Sequence, residues 1–139
     1  MAERSGTVAG RRLTWAALGL PSTLRGRLDL TEEDLARLGA HREELLLLAR
    51  RSAVMLEEIA SEGAPIRELS LELVVDAEVP DWVELVLIAD ISAGFDETME
   101  WWRRVGEKRA ALNRALGTKE LGLFARHIGI VLNPDPAMI

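Results

Sequence analysis

The sequence predicts an α+β domain in which a long helix packs on a small antiparallel sheet, and three observations predict it. Apolar residues keep a heptad-like spacing over residues 31–61, the period changes to two over 66–76 and 82–92, and a helical stripe returns over 97–116. Residues 127–132 are the candidate third strand. At 139 residues the chain can bury a core without staples, and it contains no cysteine to supply them.

Residues 1–12 are small, polar and arginine-bearing, which predicts a flexible basic N-terminus; residues 13–139 are read as one domain. Arg11-Arg12 ahead of Leu13-Thr14-Trp15-Ala16-Ala17-Leu18 superficially resembles an export signal. The apolar stretch stops at Pro21, however, and Arg25 and Arg27 follow, so a cytoplasmic location is expected. Leu13 to Leu20 is at most two helical turns, interrupted by Gly19.

Thr31 is the expected N-cap of the long helix, because Glu32, Glu33 and Asp34 fill the first turn, where the helix dipole favours negative charge. The helix is expected to end near Ser61, with Gly63 as the left-handed stop and Pro65 beyond it. A straight helix over this span is roughly 45 Å long, against about 37 Å for the diameter of a compact chain of this size. It must therefore kink, with Gly39 as the candidate, or project. Leu35, Leu38, Leu45, Ala49, Leu56 and Ile59 form its seam, broken by Arg42 and Ser52, and Leu46, Ala53 and Ala60 form a second strip.

After Pro65, Leu69, Leu71, Leu73 and Val75 alternate with Glu68, Ser70, Glu72 and Val74. Beyond the turn Ala77-Glu78-Val79-Pro80-Asp81, Val83, Leu85, Leu87, Ala89 and Ile91 alternate in the same way. The two segments predict an antiparallel hairpin, with the second strand the more central because Val86 and Ile88 occupy its other face. Ser92-Ala93-Gly94 then breaks the strand. Asp96 is expected to cap a helix running to Leu116, with Phe95 as hydrophobic staple and Met99, Trp102, Val105, Leu112 and Leu116 as the buried stripe. A short helical turn is expected over Thr118 to Arg126.

The feature with the clearest functional content is the run Leu45-Leu46-Leu47-Leu48. Helical neighbours are turned by about 100°, so four consecutive leucines cover nearly every side of the cylinder. Some of that surface is expected to meet another copy. The predicted interface is Leu38, Leu45, Ala49 and Leu56 facing a twin, with Leu46 and Ala53 toward the hairpin, in a homodimer or higher oligomer. Trp101, displaced from the stripe that holds Trp102, is a further contact candidate, because tryptophan is enriched at interface hot spots. The leading reading is a non-catalytic protein-interaction module whose partner is itself, with an unidentified second protein also open.

Chemical motifs are weaker. His41 and Glu44 share a helix face but supply only two metal donors, and His127 stands apart. Glu84, Asp90, Asp96 and Glu97 lie near a strand end and a helix start, where carboxylates suit a hard cation in a metal-dependent hydrolase or transferase, yet no phosphate-binding loop accompanies them. No nucleophile elbow is present. No catalytic residue, metal ligand or cofactor is assigned. Arg103, Arg104, Lys108, Arg109 and Arg114, with the basic amino terminus, define the second reading, a nucleic-acid-associated regulator, ahead of the hydrolase or transferase. Residues 67–100, with ten acids and one base, oppose phosphate, so nucleic acid is not the expected partner. No stretch approaches the roughly 20 apolar residues of a membrane span.

Overall fold

The computed structural model describes residues 26–75, 78–79 and 82–138. The expectations for residues 1–12 and for Leu13 to Leu20 lie outside them, as does most of the turn over 77–81. Among the described residues four strands, β1 (Gly26–Asp29), β2 (Ile66–Val75), β3 (Val83–Ile91) and β4 (Ile128–Pro134), stand in the order β1-β2-β3-β4. The helices are α1 (Glu32–Arg37), α2 (Arg42–Ser61), α3 (Phe95–Ala115) and α4 (Thr118–His127). The α+β class is as predicted.

The long helical span is broken rather than projecting. Thr31 closes a capping box with Asp34, its hydroxyl accepting from the Asp34 amide at 3.2 Å while the Asp34 carboxylate accepts from the Thr31 amide at 3.0 Å. α1 then stops at Gly39, whose φ of 65° leaves the helical region, and a single 3-10 turn over Gly39–His41 leads into α2. Gly63, at φ 116°, ends α2 as its position implied. Ser52 is no surface break in the seam. It is fully buried, and its hydroxyl is satisfied by donating to the Leu48 carbonyl at 2.9 Å.

β2 and β3 form the expected antiparallel hairpin, with Leu71 opposite Leu87 and Leu73 opposite Leu85. The sheet as a whole is mixed, because β1 joins β2 and β4 joins β3 in parallel. A parallel neighbour requires a crossover, and the chain supplies two, α1–α2 between β1 and β2 and α3–α4 between β3 and β4. Two strand–helix–strand halves are thus joined back to back by the hairpin, although no sequence repeat marks them. β1 carries no period-two signal, since it is only four residues long.

Alternation sorts the sheet into two faces. Leu71, Leu87 and Ile130 lie in one row across β2, β3 and β4, and Leu69, Ala89 and Leu132 in the next. This face meets α2, α3 and α4 in a core containing Leu45, Leu48, Leu56, Ile59, Leu85, Phe124 and Ile128. The opposite face carries Ser70, Ile88 and Val131 in one row and Glu68, Asp90 and Asn133 in another. Burying one Leu or Ile side chain contributes about 1.5–3 kcal/mol, so the helix-covered face dominates the stability of the fold.

Candidate interaction surface

The predicted interface residues are mostly inside the chain. Leu38, Leu45, Ala49 and Leu56 are 5% exposed or less, so the strip expected to face a twin is instead spent on the molecule's own sheet. The helix passes over β3 and β4 and touches α3 and α4 as well, which buries it from more directions than a hairpin alone would. Leu46 is half-buried against the core, and within the leucine run only Leu47, at 42%, faces outward.

α3 carries the larger correction. Its N-cap is Gly94, not Asp96, and the helix begins at Phe95, which is 57% exposed and therefore no staple. Asp96 and Glu97 sit in the first turn, where they complement the dipole. The inward stripe is Thr98, Trp101, Val105, Lys108 and Leu112, a run of three- and four-residue steps. Thr98 is buried because its hydroxyl donates to the Gly94 carbonyl at 2.8 Å. Lys108 lays its stem over the helix pair and carries its Nζ to Glu58 at 3.4 Å and Glu62 at 3.3 Å. Trp101 packs against the core.

The helix is thus rotated by about one residue from the expected phase. Phe95, Met99 and Trp102, spaced i, i+4, i+7, form an outward apolar stripe. Met99 and Trp102, 45% and 40% exposed, border a groove of about 380 Å³ whose other walls are Thr98 and the β4 residues Ile130, Val131 and Leu132. Phe95 borders a second hollow with Met138, whose rim also carries Asp96 and Glu97. Exposed apolar residues therefore line two hollows along α3, one toward Met138 and one toward β4. The sequence signal for them was present, three large apolar residues beside an equally periodic stripe, but Thr98 and Lys108 disguised which stripe the core takes.

A larger groove, about 460 Å³, lies between α2 and α3, lined by Val54, Met55, Ala111 and Leu112 among Arg50, Arg51, Glu58 and Lys108. Its rim is charged, and Met55 at its floor is already buried. Of its lining only Val54 is a largely exposed hydrophobic, whereas the α3–β4 groove has three, Met99, Trp102 and Val131.

The candidate chemical groups do not converge. Glu84 and Asp90 stand six residues apart on β3, about 20 Å along a strand. Asp90 accepts from Asn133 at 3.1 Å and lies 4.0 Å from Arg67, which also reaches Asp135 at 3.7 Å. His41 lies 3.7 Å from Glu44, and Lys119 meets the same carboxylate at 2.8 Å, holding it below its ordinary range. Among the described residues no three histidine, aspartate or glutamate side chains are grouped to hold a metal. His127 sits on the Val83 carbonyl at 2.7 Å and against the Trp82 ring.

The five basic residues of α3 are divided. Arg104 donates to both Glu62 oxygens at 2.8 and 3.0 Å and to Glu107 at 2.9 Å. Arg109 stacks 4.5 Å over the Phe124 ring and donates to the Ile128 carbonyl at 3.1 Å. Arg103 and Arg114 are exposed. Among the described residues no helix is long and apolar enough to cross a membrane. No protein-family model matches the chain, and no curated protein and no solved structure matches it either.

Proposed function

We propose that this chain is a non-catalytic, cytoplasmic protein-interaction module that self-associates through apolar surface its own fold leaves uncovered. The observation that carries the reading is the exposure of Phe95, Met99, Trp102, Val131 and Met138 around the two hollows along α3. Soluble monomers rarely keep large contiguous apolar patches in water, and tryptophan and methionine are favoured at the centres of protein interfaces. The leucine run contributes less than its composition suggests, because only Leu47 is left for an outside partner.

The test is molar mass by sedimentation across a dilution series, at low and high salt. An apolar interface yields a concentration-dependent species heavier than 15.4 kDa that persists at high salt. A chain that stays at 15.4 kDa up to high micromolar concentration overturns self-association.

A further inference from the structure

We propose that the second copy docks edge to edge on β4, so that two four-stranded sheets become one eight-stranded sheet with the α3 helices packed across the two-fold axis. This rests on the self-association reading above and specifies its surface. Among the described residues β1 and β4 are the outer strands of the sheet. They are very different edges. β1, Gly26-Arg27-Leu28-Asp29, is half charged in sequence, and charge is one way in which native proteins blunt an edge against pairing. β4 is seven residues, Ile128-Gly129-Ile130-Val131-Leu132-Asn133-Pro134, with no charge and a proline only at its last position. A long, uncharged, apolar edge is a template for another strand.

The midpoint of β4 is Val131, which is 45% exposed. Antiparallel pairing about a two-fold axis there sets Val131 opposite its own equivalent and Ile130 opposite Leu132. The centre of β4, Ile130 to Leu132, is therefore complementary to itself in size and polarity. An axis perpendicular to the sheet keeps both α3 helices on the same face. Because α3 packs beside β4, its Met99 and Trp102 then meet their counterparts, with the outward stripe covered by an identical stripe. Antiparallel α3 helices also bring Arg103 of one copy toward the acidic first turn, Asp96 and Glu97, of the other.

The area is of the right order. At about 200 Å² for a large side chain, the exposed fractions of Phe95, Met99, Trp102, Val131 and Met138, which run from 40% to 57%, amount to roughly 500 Å² per copy before any strand backbone is counted. A standard interface buries about 800 Å² per partner, and seven strand residues supply much of the difference.

The experiment uses the full chain and three variants, Val131→Lys, Val131→Glu and Trp102→Glu, with Leu47→Arg as the control on α2. All three positions are exposed, so far-UV circular dichroism of the four variants is expected to match wild type. Sedimentation is expected to give a dimer for wild type and for Leu47→Arg, and a monomer for Val131→Lys, Val131→Glu and Trp102→Glu taken singly. Mixing the Val131→Lys and Val131→Glu chains is expected to restore the dimer, because only pairing at the β4 midpoint places those residues opposite each other. A dimer that survives all three variants and is lost in Leu47→Arg overturns the β4 edge while leaving self-association standing. A wild type that is monomeric at high micromolar concentration overturns both.

Discussion

Four adjacent leucines share one sequence environment and have different energetic roles. Leu45 and Leu48 are each 2% exposed, Leu46 is half-buried, and Leu47 is 42% exposed. Removing a buried leucine side chain loses its transfer free energy and leaves a cavity that the surroundings only partly fill. Leu45→Ala is therefore expected to destabilise the fold by about 2–5 kcal/mol, and Leu47→Ala by less than about 0.5 kcal/mol in the monomer. Urea denaturation of both variants checks this, and equal losses would mean that Leu47 is as enclosed as Leu45. The two adjacent tryptophans repeat the lesson, with Trp101 against the core and Trp102 at the surface. Which of two neighbours turns inward was assigned wrongly from sequence, because Met99 and Trp102 outweigh Thr98 and Lys108 in hydrophobicity. A threonine that satisfies its hydroxyl within its own helix, and a lysine that packs its stem, both count as core.

At the scale of elements, an ionic strap ties α2 to α3. Arg104 bridges Glu62 and Glu107, and Lys108 reaches Glu58 and Glu62. The Arg104 hydrogen bonds pull the Glu62 carboxyl from its ordinary 4.5 down to about 2, and the guanidinium is shifted up in return. A carboxyl depressed in the folded state stabilises the fold above its unfolded pKa and stops doing so as pH falls through the folded one. Arg104→Met is thus expected to lower the melting temperature modestly at pH 7, with the gap to wild type closing as pH falls from 4.5 to about 2. The effect is small because these side chains are solvated. A gap that stays constant over that range would assign the loss to packing of the arginine stem. Most elements were legible beforehand: the Thr31 cap, the Gly63 stop, the hairpin and the short helix before β4. β1 was not, since four residues with two charges carry no recognisable period, and its pairing with β2 is a long-range event.

For the molecule as a whole, charge placement bears on partners. The net charge is −6, and the basic residues of α3 are not presented as one surface, since Arg104 and Lys108 are matched by acids and Arg109 is stacked on Phe124. Phosphate recognition needs cations that are available to release counterions. No binding to duplex DNA is expected near physiological salt, as read by fluorescence anisotropy. Micromolar affinity that falls steeply with salt and is lost in Arg103→Glu would instead make this helix face a nucleic-acid surface.

What the sequence determined alone is the kind and order of the elements after β1, because the hydrophobic period, the caps and the glycine stops are local properties of the chain. It also determined that no cysteine chemistry is available. Tertiary structure alone decided the parallel joining of β1 and β4 to the hairpin, the rotation of α3 that hides Trp101 and exposes Trp102, and the burial of the leucine seam within one chain. The physical reason is that periodicity specifies the spacing of a stripe but not its phase when two neighbouring stripes are of similar hydrophobicity. The choice between them is made by the surfaces available to cover them, here one sheet face that α2, α3 and α4 must share.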